Sequence, residues 1–277
     1  MNPILGPDIP PFAPAKDAPP DRLGAFLGWA LKGAWRGILW AAFWSAAAGS
    51  LEAVSATILG HIVDAAATTS PATALHDHWL LGALFLGFYL LVRPAVLGLN
   101  TAAASVRLEP NLFPLILSRL HRFTIGQAVT FFDNDFAGRI AQKQMQAARA
   151  VTDVATEVIN TVCFALASVI GSVAFLLAVD AKAAIALLVW LVAYVFLIRF
   201  FLPVIRKNSA ARASSRAMVS GQVVDTITNI KTVKLFAHAA HEDKAALRAM
   251  SGFRDTALDF GVLSAWFRVA LMTIAGI

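Results

Sequence analysis

The chain has 277 residues, of which 58% are hydrophobic and only 14% are charged, and its formal net charge is +6. Soluble domains carry about 25% charged residues and about 45–50% apolar ones, so this composition indicates a membrane protein rather than a soluble domain. The single cysteine, Cys163, excludes a disulfide framework within the chain and a cysteine-rich metal site.

The first twenty residues are rich in proline and contain seven of the twelve prolines in the chain. Such a segment is typical of an extended lead-in and lacks the apolar stretch of a cleavable signal peptide. We therefore predict a disordered or loosely docked segment over residues 1–22. A membrane domain is expected over residues 23–277.

Five apolar stretches follow, each close to the roughly 20 residues that a membrane-spanning helix needs. The predicted spans lie at about 37–63, 79–99, 158–179, 183–205 and 261–277. The fifth span runs to the last residue. We therefore expect the chain to be a truncated piece of a longer protein that ends within its fifth helix.

Basic residues are distributed unevenly between the two sides of these spans. The loops at residues 64–78 and 180–182 hold a single basic residue, Lys182, whereas the loops at 101–157 and 206–260 hold six and nine. Because short loops rich in Lys and Arg stay in the cytoplasm, we predict that the N-terminus and both long loops are cytoplasmic. The positive charge thus reflects membrane orientation, and no nucleic-acid partner is expected.

The two long loops have nearly equal lengths, 57 and 55 residues, and similar patterns. Each is long enough for two helical arms of about 25 residues, which extend roughly 37 Å at 1.5 Å per residue. Helix-capping residues interrupt the pattern near the middle of each loop, at Gly126–Asn134 and at Asp225–Val233. We predict a long helix, a short transverse helix and a second long helix in each loop.

Two motifs at these midpoints resemble one family. The sequence FFD at Phe131–Asp133, followed by GRI at Gly138–Ile140, resembles the first cytoplasmic-loop signature of ABC exporter transmembrane domains. The sequence DTITNIKTVKLF at Asp225–Phe236 is similar to the second-loop signature of the same domains. The resemblance covers nearly the whole chain.

The resemblance implies an all-α membrane protein with the ABC transporter type-1 transmembrane fold, whose long helices extend into the cytoplasm. Such domains have six helices and work as homodimers or heterodimers. Two coupling helices, here around Phe123–Val129 and Val224–Ile230, would contact nucleotide-binding domains that bind ATP and Mg²⁺. The residues assigned to that coupling are Phe123, Thr124, Ile125, Gly126, Gln127, Phe131, Phe132, Asp133, Gly138, Val224, Asp225, Thr226, Ile227, Asn229 and Ile230.

The chain contains no G-x-x-x-x-G-K-[ST] motif, and therefore no phosphate-binding loop of that type. We expect ATP and Mg²⁺ to bind on a nucleotide-binding domain, carried by the same polypeptide or a separate one. Any ATP hydrolysis would depend on that domain, because no catalytic residue, bound cofactor or metal site is predicted in this chain.

Ionisable residues inside the spans are candidates for function, since a charge in hydrocarbon is energetically costly. We expect Glu52, Arg93 and Arg268 to face a water-accessible cavity, with Glu52 paired to one of the arginines. The alternative is a buried ion pair that fixes helix register. Two weaker cavity candidates are Asn100 and Asn160, for which hydrogen bonding between helices is the default interpretation. An excess of arginine favours a small amphipathic or anionic substrate.

Two other classes of function stay open at this stage. A secondary transporter would show broken helices at the membrane midplane, and here the spans are unbroken apart from Pro94. A receptor or regulatory subunit would use the cytoplasmic arms to signal to a partner. For the leading hypothesis, an ATP-driven exporter, we expect a multi-pass protein of the plasma membrane, the inner membrane of a bacterium.

Overall fold

The computed structural model describes residues 7–68, 78–133, 137–235 and 239–276. Within these residues all regular structure is helical, and five helices are long and apolar enough to cross a membrane. The predicted all-α membrane fold is confirmed.

The helices follow one another with few residues between them. Their bounds are α1 Leu23–Ala30, α2 Trp35–Thr68, α3 Trp79–Gly87, π1 Phe88–Val92, α4 Arg93–Ala102, π2 Ala103–Leu108, α5 Glu109–Ile125, α6 Val129–Asp133, α7 Ala137–Glu157, π3 Val158–Cys163, α8 Phe164–Val179, α9 Ala181–Thr228, α10 Ile230–Leu235 and α11 Ala239–Ala275. The π segments are single wide turns within otherwise continuous helices.

The continuous helices are much longer than a bilayer requires. Residues 79–125 form one helix of 47 residues, and α9 has 48. At 1.5 Å per residue each is about 70 Å long, more than twice the roughly 30 Å of a hydrocarbon core. The predicted long loops are therefore mainly continuations of the spanning helices.

The chain divides into two compact units, unit 1 (Met1–Ala181) and unit 2 (Lys182–Ile277). The core of unit 1 lies where α5 packs on α7 and contacts α1, and where π2 packs on α2. Leu108, Leu112, Leu115 and Ile116 are fully buried there. Their spacing of three and four residues places them on one face of the helix, as expected for an amphipathic arm outside the membrane.

The α2–α8 packing in unit 1 depends on small residues that let the two backbones approach closely. A Cβ atom at Gly49 would overlap the carbonyl oxygen of Phe164, and one at Gly171 would lie 3.1 Å from Cβ of Ala53. The hydroxyl of Ser45 donates a hydrogen bond of 2.6 Å to the carbonyl of Ile159 in π3. This combination is typical of helix pairs in membranes.

Unit 2 is an antiparallel pair of long helices, α9 and α11, joined through α10. The indole of Trp190 donates a hydrogen bond of 2.7 Å to the carbonyl of Ile274. The rings of Phe201 and Phe267 lie 5.3 Å apart, and the guanidinium of Arg212 lies 4.8 Å above the ring of Phe260. In these three contacts the residue number rises along α9 while it falls along α11, so the two helices are antiparallel.

The sequence predicted a disordered or loosely docked N-terminal segment, and the structure describes residues 7–22 of it as docked. Residues 7–22, which we call the strap, lie against the helices of unit 1. The side chain of Ile9 belongs to the core of that unit, and the residue is only 3% exposed. Strap atoms also pair with side chains of π2, α5 and α1. Residues 1–6 lie outside the described part of the chain.

Candidate functional site

The first candidate site is the far end of the arm formed by α5 and α7, which we call tip 1 (residues 123–133). Helix α5 continues to Ile125, a turn follows at residues 126–128, and the short helix α6 begins only at Val129. A short helix was expected at residues 123–129. In the structure it begins only at the last of these residues and includes Phe131 and Phe132.

Hydrogen bonds hold the turn of tip 1 in place. The amide of Gln127 donates to the carbonyl of Thr124 (3.0 Å), and its side chain donates to the carbonyl of Phe123 (3.0 Å). From α7, the side-chain amide of Gln144 donates to the hydroxyl of Thr124 (2.8 Å). The amide of Gly126 donates to the carbonyl of Arg122, which closes α5. Tip 1 is thus a defined local structure.

The surface of tip 1 is apolar although the tip lies at the end of a long arm. Ile125 is 63% exposed and Val129 is 76% exposed, and Phe123, Phe131 and Phe132 are also exposed. The two phenylalanine rings meet edge to face at 5.3 Å. Asp133 ends α6 and Gly138 lies near the start of α7, but their side-chain surroundings fall outside the described residues.

The second candidate site is the corresponding end of unit 2, tip 2 (residues 224–235). Helix α9 ends at Thr228 and α10 begins at Ile230, so the chain breaks at Asn229, within the predicted coupling segment. The side-chain amide of Asn229 donates to the backbone carbonyl (3.1 Å) and carboxylate (3.0 Å) of Asp225. Asn229 thereby ties the break to the last turn of α9.

Tip 2 also contains a small polar pocket of about 180 Å³ that includes Glu242 at the start of α11. The carboxylate of Glu242 accepts hydrogen bonds from Gln222 and from Thr226, each of 3.3 Å. Glu242 was not among the residues predicted from the sequence. An acidic residue in the first turn of a helix was the available signal.

Exposed apolar residues surround this polar pocket. Val224, Ile227, Ile230 and Leu235 are between 41% and 81% exposed. The predicted coupling residues of the second loop therefore form two groups. Asp225, Thr226 and Asn229 face the local hydrogen-bond network, whereas Val224, Ile227 and Ile230 are on the surface.

The third candidate site lies within the spans of unit 1, where Glu52 of α2 meets Arg93 at the start of α4. Nη2 of Arg93 donates to Oε1 of Glu52 at 3.1 Å, and its guanidinium lies 5.5 Å from the centre of the Tyr89 ring. Both side chains of the pair are partly exposed, at 44% and 32%. The pair that the sequence suggested is present in the structure.

A local change in helix geometry accompanies this ion pair. Pro94 follows Arg93, lacks an amide proton and would clash with the carbonyl of Leu90 in a regular α-helix. The wide turn π1 covers Leu90 and relieves that clash. Pro94 thus accounts for the wide turn next to the ion pair.

The other cavity candidates are separate from this pair. Oδ1 of Asn100 is buried and has no hydrogen-bond partner among the described residues, whereas Asn160 is exposed on π3. Arg268 belongs to unit 2 and lies in an open groove of about 750 Å³ with Ser264, Met272 and others. Among the described residues of unit 2, no carboxylate forms an ion pair with Arg268.

Two comparisons relate this chain to known proteins. The family model described as the ABC transporter transmembrane region matches residues 38–275. A curated protein of Haemophilus influenzae, described as an uncharacterized ABC transporter ATP-binding protein, is 31% identical over 211 residues. That match covers 75% of this chain and 34% of the relative, so the chain spans about a third of the relative's length.

Proposed function

Because this chain belongs to the family of ABC transporter transmembrane regions, we propose that it is the membrane-spanning subunit of an ATP-driven exporter. In this proposal it moves a small amphipathic substrate across the membrane by alternating access. The observation that carries the proposal is the presence of two long helical arms, one in each unit, that both end in an exposed apolar tip.

The length of the arms supports a partner located away from the membrane. A helix of about 70 Å leaves roughly 40 Å outside a hydrocarbon core of about 30 Å. Apolar side chains such as Ile125, Val129 and Ile227 are more than half exposed at this distance from lipid. Clustered exposed apolar residues typically mark a protein interaction site.

We infer that the partners of tips 1 and 2 are nucleotide-binding domains that carry ATP and Mg²⁺. The proposed contacts in tip 1 are the exposed residues Phe123, Ile125, Val129, Phe131 and Phe132. In tip 2 they are Val224, Ile227 and Ile230, with Lys231 and Lys234 of α10 next to them. ATP can drive transport only if it binds one conformation of the assembly better than the other, and the tips would transmit this difference.

The proposed transporter is a dimer of two such membrane subunits, identical or different. Many apolar side chains of the spans are exposed in the single chain, including Leu90, Ile170 and Phe196 at 67–72%. Lipid and a second subunit are the surroundings that would cover them. The uneven distribution of basic residues supports an N-terminus and tips in the cytoplasm of a bacterial cell.

For the substrate we propose an amphipathic anion. Arg93 has a carboxylate partner in Glu52, whereas Arg268 has none among the described residues of unit 2. An arginine in a membrane faces water, protein or a ligand rather than hydrocarbon. Arg268 would bind the anionic group, and the apolar residues of its groove, such as Val269 and Met272, would contact the apolar part. Asn100 and Asn160 belong to unit 1 and stay predictions from the sequence.

The proposal is tested by placing a charge on each tip. Val129→Asp and Ile227→Asp should abolish the stimulation of ATP hydrolysis by substrate in the assembled transporter in nanodiscs, because a carboxylate in an apolar interface costs several kcal/mol. The matched controls are Met145→Asp and Met218→Asp, which are also more than half exposed but lie outside the tips. Equal effects of tip and control substitutions would contradict the proposal, as would stimulation that survives both tip substitutions.

A further inference from the structure

The strap runs along the outside of α5 and is attached at both of its ends. Near its start, the Ile9 side chain packs against Gly37 at the beginning of α2, where an added Cβ would lie 2.6 Å from Cδ1 of Ile9. Asp8 forms an ion pair with Arg107 of π2. Near its end, the carbonyl of Asp17 accepts a hydrogen bond of 2.9 Å from the indole of Trp29 in α1.

Between these ends, Arg119 of α5 makes the main attachment. Its side chain is buried, with only 4% of the residue exposed. Nε donates to the carbonyl of Ala13 in the strap at 3.0 Å. Nη1 donates to the carbonyls of Trp29 (3.0 Å) and Ala30 (2.9 Å), and Nη2 donates to the carbonyl of Lys32 (2.7 Å).

These acceptors explain why an arginine is needed at this place. Trp29 and Ala30 are the last residues of α1, whose carbonyls have no partner within the helix. A guanidinium has five donors in a planar fork and also carries the positive charge that a helix C-terminus favours. A lysine has the same charge but only three donors on one atom.

Arg122, one turn further along α5, adds a second hydrogen bond to the strap. Its Nη1 donates to the carbonyl of Phe12 at 2.8 Å. Burial lowers the pKa of Arg119, and the nearby charge of Arg122 lowers it further. A guanidinium nevertheless stays protonated at physiological pH, so attachment of the strap should not vary with pH in that range.

The position of Arg119 relates the strap to tip 1. Arg119 precedes Ile125, the last residue of α5, by less than two helical turns. Through Arg119 the strap and α1 are attached to the part of α5 that carries the tip, and through Ile9 the strap reaches the start of α2. The same segment thus contacts the tip-bearing arm and the first spanning helix.

We propose that the strap is a brace and that Arg119 is a positioning residue for coupling. The brace holds tip 1 at a constant position relative to the start of α2, so that the arm and the spanning helix move together. This role in transport rests on the proposed function, but the brace itself is a property of unit 1. An experiment can therefore contradict the role in transport without contradicting the brace, and the reverse.

The brace is tested by measuring the distance between spin labels at Arg36→Cys and Ala128→Cys in the transporter in nanodiscs. Cys163, the one cysteine of this sequence, is replaced by alanine so that no other residue of this part of the transporter is labelled. We expect a narrow distance distribution that broadens in Arg119→Met, and less so in Arg119→Lys. The loss of one hydrogen bond from a charged donor should shift the equilibrium between attached and detached strap by about tenfold or more.

Two further variants keep this test decisive. Deletion of residues 2–13 removes the part of the strap that contacts π2, α5 and the start of α2, but it leaves Arg119 with its three contacts to residues 29–32. It should broaden the distribution even if Arg119→Met fails to fold. As a control, Arg149→Met alters an exposed arginine of α7 and should leave the distance distribution narrow. A distribution that stays narrow in the deletion variant would overturn the brace.

The role in coupling has its own measurement. In Arg119→Met and in the deletion variant, the ratio of substrate-stimulated to basal ATP hydrolysis should fall toward one. If the distance distribution broadens and this ratio is unchanged, the strap is a structural element only and the positioning role is wrong. Failure of the tip substitutions to affect ATP hydrolysis would instead contradict the proposed function, whatever the distance measurement gives.

Discussion

The two charged sites within the spans differ in how their charge is balanced. Arg93 has a carboxylate at 3.1 Å and lies 5.5 Å from the centre of the Tyr89 ring, whereas Arg268 has no acidic partner in the part of unit 2 that the structure describes. Two unit charges 4 Å apart interact by about 4 kcal/mol at an effective dielectric constant of 20. We infer that Arg93 is largely neutralised and that Arg268 retains most of its attraction for an anion.

This difference predicts unequal effects of removing each charge. Arg268→Gln should raise the concentration of an amphipathic anion, such as taurocholate, that half-maximally stimulates ATP hydrolysis by about tenfold or more. The double variant Glu52→Gln/Arg93→Gln, which removes a neutral pair, should change it much less. Stimulation by an amphipathic cation, such as rhodamine 6G, serves as the control. Equal effects of the single and double variants on taurocholate would contradict the role of Arg268.

At the residue scale the sequence predicted pairing within the spans but not which residues attach the strap. Glu52 and Arg93 were conspicuous because each interrupts an apolar stretch, and few partners are available to a charge in hydrocarbon. Arg119 and Ala13 are 106 residues apart, and no local pattern connects them. Proline-rich segments lack many amide donors but keep their carbonyls, so a buried arginine can bind a segment that composition alone indicates to be disordered.

Among the helix contacts of unit 1, the contact of α2 with α8 depends most clearly on glycine. Helices in lipid gain little from the hydrophobic effect, so close packing and hydrogen bonds must supply the attraction. Gly49 and Gly171 allow the backbones to approach, and Ser45 adds a hydrogen bond to the widened turn π3. This contact joins the first and third spans of unit 1.

The contact predicts that Gly49 is intolerant of a side chain. Gly49→Val would place a Cβ on the carbonyl oxygen of Phe164, and the forced separation of the helices should destabilise unit 1 by about 1–3 kcal/mol. Gly60→Ala in the same helix meets open space and should be neutral or stabilising by up to about 1 kcal/mol. Thermal unfolding in detergent checks both, and similar melting temperatures for the two variants would refute the account of this interface.

A helix or a helix break could be predicted where nearby residues alone determine its position. Apolar stretches located all five spans, because hydrocarbon requires about 20 apolar residues in any membrane helix. The break at Asn229 was also predictable from its capping sequence. The exact position of α6 was not predictable, because it depends on packing between helices, whereas the wide turn π1 has a local cause in Pro94. Gly126 ends α5 in an ordinary helical conformation, and the chain turns only after it.

For the whole molecule, the two units share one design with different supports. Each has a helical arm that ends in an apolar tip, but tip 1 is braced by the strap and α1, whereas tip 2 is held by local hydrogen bonds to Asn229 and Glu242. Exposed apolar side chains clustered at both tips indicate that partners bind there. The family to which the chain belongs supports nucleotide-binding domains as those partners.

The most direct test of this central claim is site-specific photo-crosslinking in the assembled transporter. A benzophenone amino acid is placed at Val129 or Ile227, and at Met145 or Met218 as exposed controls. We predict that the adducts from Val129 and Ile227 map by mass spectrometry to peptides of the nucleotide-binding domain, and that the controls give few or none. Adducts to that domain at equal yield from tips and controls, or none from either tip, would contradict the claim.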